Sequence, residues 1–192
     1  MFHTADKDRY IKLLSEVDRP GIASLINYLE YETDFFTAPA SSQHHGACEG
    51  GLLDHSLAVH DNLLKIGKEF FDDYDPYSFA LVALLHDVCK ANFYKVDYRN
   101  KKNEYGQWDR VPYYAIDDQL PYGHGEKSVM IVSRFIQLSI EEQMGIRWHM
   151  CGFDDAARSY GGGQVLSTAM GKFPLITALH AADLMACYFD GK

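Results

Sequence analysis

Leu81 to Lys90 reads LVALLHDVCK, an apolar run that ends abruptly in an adjacent histidine and aspartate, with a lysine three residues after the aspartate. A run such as Leu81-Val82-Ala83-Leu84-Leu85 is stable only inside a core. On a helix, successive side chains fan apart by roughly 100° around the axis. His86 and Asp87 therefore leave the core in neighbouring directions, at the end of a buried helix that Asp75-Pro76 opens with proline at its first turn. Neutral imidazole and ionised carboxylate are ligands for a divalent cation, and a cation would offset the cost of keeping a carboxylate near that core. Two adjacent residues make no metal site, so the other ligands must come from elsewhere in the chain.

The whole chain bounds the chemistry. Its 192 residues fit one domain, 1–192, and a 47% hydrophobic share makes it globular rather than disordered. No apolar run approaches the roughly 20 residues of a membrane span, and the polar opening Met1 to Tyr10 is no secretory signal, so the expected location is the cytoplasm, with no membrane partner. Cys48, Cys89, Cys151 and Cys187 lie far apart without a CxxC pair and read as reduced thiols rather than zinc ligands or disulfides. A formal charge of −9 argues against long nucleic acid as a partner. A small anion at a local positive site fits.

Outward from the central stretch, the pattern is helical. Residues 1–33 read as covering helices: one over Asp8 to Val17, ended by Arg19-Pro20-Gly21, and a second with Ile22, Leu25, Ile26 and Leu29 on one face. The small and turn-forming residues from Asp34 to Gly51 make a loop that carries His44 and His45. Periodicity resumes at Leu52 and runs through Val59, Leu63, Ile66 and Phe70, which aims His55 inward and leaves His60 at the surface. Residues 93–116 alternate aromatic and β-branched positions about a polar turn and predict an inserted β-hairpin, with Tyr94, Tyr98, Trp108 and Tyr113 pairing across its strands. Lys90 to Arg110 hold six basic residues against three acids, reversing the sign of the chain, and a lid over a phosphate-bearing ligand is the functional reading of that stretch. His124 stands between two glycines before a further helix. Ser139 and Glu142 form a capping-box signature for the helix that ends at His149. Cys151 to Gly163 reads as a flexible loop, and Pro174 opens a last helix in which Asp183 sits among apolar residues and needs a partner.

Taken in order, His55, His86-Asp87, His124, His149 and Asp183 each lie on or beside a separate helix. This pattern resembles the HD-domain metal-dependent phosphohydrolase superfamily, H…HD…D, with two further histidines between HD and D in dinuclear members. HHGACEGGLLDHSLAV is similar to the HD domain of bacterial 3′-to-5′ exoribonucleases, and LLHDVCK to the LLHDxxK string of the family. The GYP string of the cyclic-dinucleotide branch is absent, and no nucleic-acid-binding OB domain accompanies the motifs.

The resemblance implies an all-α fold, an HD-domain helical bundle with the hairpin inserted. It implies one metal held by His55, His86, Asp87 and Asp183 and a second by His124 and His149, with Asp87 bridging. Two such ions roughly 3.5 to 4 Å apart lower the pKa of a shared water towards about 7, giving a metal-activated hydroxide. Lys90 and Arg147 would meet the substrate phosphate and His45 would stand near the leaving oxygen. An imidazole and carboxylate set suits divalent transition metals, iron or manganese foremost. The expected activity is hydrolysis of a phosphoester of a nucleotide or short oligonucleotide. A di-iron oxygenase resembling myo-inositol oxygenase shares the six-residue pattern, and a nucleotide-binding regulator with a vestigial site is the third reading.

Overall fold

Asp75 begins the central helix as the sequence predicts: its carboxylate accepts the Tyr77 backbone N–H at 2.9 Å, and Pro76 takes the first helical position, where no donor is needed. The computed structural model describes residues 4–43 and 46–190, with the side chain of Asp190 outside the description. The helices are α1 (Thr4–Ser15), α2 (Ile22–Tyr31), α3 (Gly51–Phe70) and α4 (Pro76–Leu85). After the strands β1 (Tyr94–Lys102) and β2 (Trp108–Ile116) come α5 (His124–Ser133), α6 (Ile140–Trp148), α7 (Asp155–Arg158), α8 (Gly162–Lys172) and α9 (Leu175–Met185). The fold is thus mostly helical with one antiparallel hairpin. No helix among the described residues is long and apolar enough to cross a membrane.

Helix α4 is the axis of the core. Leu81 to Leu85 are wholly buried, because α1, α3 and α6 all pack against α4. Helix α3 turns Leu52, Leu53, Val59 and Leu63 inward and lies against both α4 and α9, and this contact brings the two ends of the site together. The N-terminal helices cover the centre: buried Tyr10 donates its hydroxyl to the Leu84 carbonyl at 2.8 Å and stacks beside Phe35 and Phe36.

One buried carboxylate ties three segments. Glu142 closes the capping box of α6 with Ser139 and also takes both guanidinium nitrogens of Arg19, at 2.7 and 2.9 Å, and the Ser78 hydroxyl at 2.6 Å. The Arg19-Pro20-Gly21 turn is therefore pinned to α6 and α4. Gly21 holds φ +96°, and a Cβ there would stand 1.9 Å from the Phe135 carbonyl oxygen.

The hairpin pairs Tyr94 with Ile116 through to Lys102 with Trp108. Three of its four expected aromatic residues meet cations rather than one another. In this register Tyr98 faces Pro112 and Tyr113 faces Asp97, so Arg110 stacks on Tyr98, Lys102 on Trp108 and Arg99 on Tyr113, while Tyr94 meets the rings of Phe93 and, across the strands, Tyr114.

Three local expectations change. Helix α1 starts at Thr4 and ends at Ser15 instead of running from Asp8 to Val17. His60 is buried, not exposed, with its Nδ1 3.0 Å from an Asp61 carboxylate oxygen that also pairs with Arg9. Cys151 to Gly163 is a tight turn plus α7, held by Arg147 and by Arg158, which donates to the Gly152 carbonyl. Helix α8 follows it and buries Leu166 and Ala169 in a small cluster with Trp148, Cys151, Ala157 and Ile176.

Candidate metal centre

Two helix ends supply the central imidazoles by the same device. The last carbonyls of a helix lack intrahelical donors. His86, at the end of α4, donates Nδ1–H to the Ala83 carbonyl at 2.8 Å, and His149, at the end of α6, does the same to Ile146 at 2.7 Å. Each bond fixes the tautomer and leaves Nε2 with its lone pair directed away from its helix. The chain then tightens after Asp87 into the turn Val88–Lys90, so Lys90 is carried by that turn and not by a continued helix.

Around these ends the other candidates assemble. His55 Nε2 lies 3.3 Å from His86 Nε2, 3.2 Å from Asp183 Oδ1 and 3.7 Å from Asp87 Oδ2. Asp87 is the hub: its Oδ1 lies 2.7 Å from His124 Nε2 and 3.5 Å from His149 Nε2, and its Oδ2 2.7 Å from Lys90 Nζ. Potential ligand atoms fall in three overlapping groups, each within 4.8 Å: His55, His86 and Asp183; His86, Asp87 and His149; Asp87, Cys89 and His124. All six expected ligand residues are therefore in one place.

Gly125 makes this approach possible. A Cβ on it would stand 2.2 Å from the Arg147 carbonyl oxygen and also collide with that of Ile146, so only glycine lets the first turn of α5 meet the last turn of α6. His124 and His149 are neighbours as a result, with ring centroids 5.2 Å apart.

The charge balance favours a cation. Burial is the main reason the His86 pKa falls to about 4, with Asp87 opposing and His149 reinforcing it. Burial also acts to raise the carboxyls, but Lys90, His86 and His124 hold Asp87 well below its usual range, and His55 and His86 do the same for Asp183. Burial pulls His124 down, yet the Cys89 sulfur and the Asp87 carboxylate push it up to about 10, so a proton and a metal compete for its Nε2. Lys90, despite burial, is raised by Asp87 and stays protonated. His149 Nε2 is buried with no hydrogen-bond partner among the described residues. A buried polar nitrogen left without a hydrogen bond is costly in a native core, and a metal ion is the partner that these donors suit. This buried His/Asp/Cys cluster can hold metal ions.

A cavity of about 310 Å³ opens beside it, lined by His55, Asp87, Lys90 and Asp183 and, on its apolar side, by Met150, Phe153 and Leu184. His180, which the sequence pattern does not single out, also lines it and donates Nδ1–H to the His149 carbonyl at 2.7 Å. The signal that could have found it is its place on α9, three residues before Asp183 and so on the same side of the helix. Cys89 reads from its spacing as no ligand, yet its Sγ lies 3.4 Å from His124 Nδ1 and it completes one ligand group. Arg147 does not reach the cavity: Glu126 and Asp154 take its guanidinium, which stacks 4.0 Å over the Trp148 ring. His45 lies outside the described residues. None of the described hairpin residues is among those that line the cavity. No family model, curated protein or solved structure matches the chain.

Proposed function

We propose that the chain is an HD-domain metal-dependent phosphohydrolase acting on a phosphoester of a nucleotide or short oligonucleotide. One observation carries this reading: the Asp87 carboxylate belongs to two ligand groups and is held by Lys90 at the edge of a cavity of about 310 Å³. His55, His86, Asp87 and Asp183 would hold one ion, and His124 and His149 a second, with Asp87 common to both. Bound there, divalent ions supply Lewis acidity towards phosphoryl oxygens and acidify water. Iron and manganese suit the imidazole and carboxylate donors.

The protein's own groups do the rest. Lys90 cannot ligate, because a protonated amine has no lone pair; its charge is what a substrate phosphate requires. Its ion pair with Asp87 keeps the ammonium at the metal edge of the cavity. Met150, Phe153 and Leu184 add apolar surface to the same cavity, which would strengthen electrostatic contacts beside it once a substrate displaces water.

The test is a screen of metal-stripped protein reloaded with manganese, iron, cobalt or magnesium against nucleotides and linear or cyclic dinucleotides, reading phosphate and nucleoside release. Lys90→Ala should lower catalytic efficiency about tenfold to a hundredfold, roughly 1.4 to 2.7 kcal/mol, with metal content unchanged. Oxygen consumption by the iron-loaded protein without phosphoester cleavage would move the chain to the di-iron oxygenase reading.

A further inference from the structure

Side chains alternate between the faces of a two-stranded sheet, and in this register the even-numbered residues of both strands share one face. That face carries Val96, Tyr98, Trp108 and Ile116, exposed by 59, 52, 67 and 63%, together with Lys102 and Arg110. Among its described residues there is no carboxylate: Asp97 and Asp109 stand on the odd-numbered face and Glu104 in the turn. Its two cations are already stacked, Lys102 Nζ 5.2 Å from the Trp108 centroid and Arg110 Cζ 4.7 Å from that of Tyr98.

We propose that this face binds a short single strand of nucleic acid, with bases stacked on Tyr98 and Trp108 and phosphates met by Lys102 and Arg110. Every base has a π-face, so aromatic platforms paired with cations hold single strands with little regard to sequence. The charge of the face selects the occupant. A second copy of the same face would set cations against cations, and a long duplex would meet the −9 of the whole chain. Tyr98 and Trp108 are four residues apart along the ribbon, about 13 Å, which suits a short run of nucleotides. The hairpin also springs from the metal centre, since only Ala91 to Phe93 separate Lys90 from β1. The proposal deepens the phosphohydrolase reading by giving its substrate a handle, but it is tested by binding alone.

The experiment titrates the full chain in EDTA into fluorescein-labelled ten-nucleotide oligo(U) and oligo(dT), reading anisotropy, and follows Trp108 emission with unlabelled strands. Trp148 is buried and stays a silent background. The wild type should bind with quenching of Trp108. Lys102→Ser/Arg110→Ser, with its circular dichroism unchanged, should bind at least tenfold more weakly, with a log–log salt slope shallower by about 1.4, at roughly 0.7 for each phosphate that is no longer neutralised. Absence of saturable binding, equal binding by the double variant, or binding to anionic lipid vesicles but not to the strands would each overturn the proposal. Strand binding with no phosphoester cleaved, in strand or mononucleotide, once metal is restored overturns the phosphohydrolase reading and leaves this one standing. Cleavage of mononucleotides without strand binding does the reverse.

Discussion

His149→Leu distinguishes a metal ligand from an ordinary buried histidine by how far metal separates the variant from the wild type. In the metal-free protein, His149 Nε2 is buried with no hydrogen-bond partner among the described residues, a cost of about 1 to 3 kcal/mol. Its Nδ1–H bond to Ile146 returns about 0.5 to 1.5 kcal/mol and satisfies a helix-end carbonyl. Leucine, close to imidazole in size, removes the orphaned nitrogen but leaves the Ile146 carbonyl without this donor, a cost of about 1 to 3 kcal/mol that offsets the gain, so the metal-free variant should lie within about 1 kcal/mol of the wild type. Metal separates the two. An ion at a hundred times its Kd adds about 2.7 kcal/mol to the wild type, and if the variant binds it a hundredfold more weakly the gain is only about 0.4 kcal/mol. The wild type should then gain about 2 kcal/mol more than the variant. Urea denaturation followed by circular dichroism, in EDTA and at a fixed free manganese concentration, reads both gains. A variant that gains as much stability from manganese as the wild type would refute the ligand role of His149.

Three further outcomes follow from the packing. Arg19→Met leaves Glu142 charged and unpaired in the core and should cost about 3 to 5 kcal/mol in urea denaturation, whereas the Arg19→Met/Glu142→Met double variant should recover most of it. Burial acts to raise the Glu142 pKa, but Arg19 and then Ser78 outweigh it and hold it below its ordinary 4.5. The unfolded chain therefore binds this proton first, and the contribution of Glu142 is present above about pH 4.5 and lost as pH falls through the lower folded value; Glu142→Gln should flatten that part of the stability profile. Gly125→Ala should push α5 away from α6, costing about 1 to 3 kcal/mol by overpacking. It should also weaken metal binding by separating His124 from His149, which isothermal titration with manganese would detect; an unchanged affinity would show that the close approach is not needed.

The residues that meet at the centre are legible in the sequence because each breaks a pattern. His86 and Asp87 end an apolar run, His55 and Asp183 interrupt apolar faces, and His124 and His149 stand at helix ends. A polar group in such a place must find a partner, and here the partners are one another. The less visible residues break nothing. His180 lies on a helix face that the sequence treats as scaffold, and its role appears only where α9 meets the end of α6. Cys89 is spaced like an isolated thiol and comes beside His124 only through the contact of α5 with the turn after Asp87. His60 reads as exposed because it lies at the edge of the α3 stripe, where buried and exposed positions differ by a small rotation of the helix. Arg147 looks available in the sequence because its carboxylate partners, Glu126 and Asp154, come from segments on either side of α6.

The contact between α3 and α9 also constrains when the centre can form. His55 and Asp183 approach to 3.2 Å although nearly the whole hairpin and helical array lies between them in the chain. Contacts of such long sequence separation pay their loop-closure cost late, and topology of this kind slows folding. A chain still being synthesised can assemble α3 and α4 with His55, His86 and Asp87, but it lacks the carboxylate that completes the first ligand group until α9 has emerged and docked. An ion that needs the whole first ligand group would therefore have to wait for α9. Free ions present earlier would meet only part of the ligand set, in a chain whose last helix has not yet been placed.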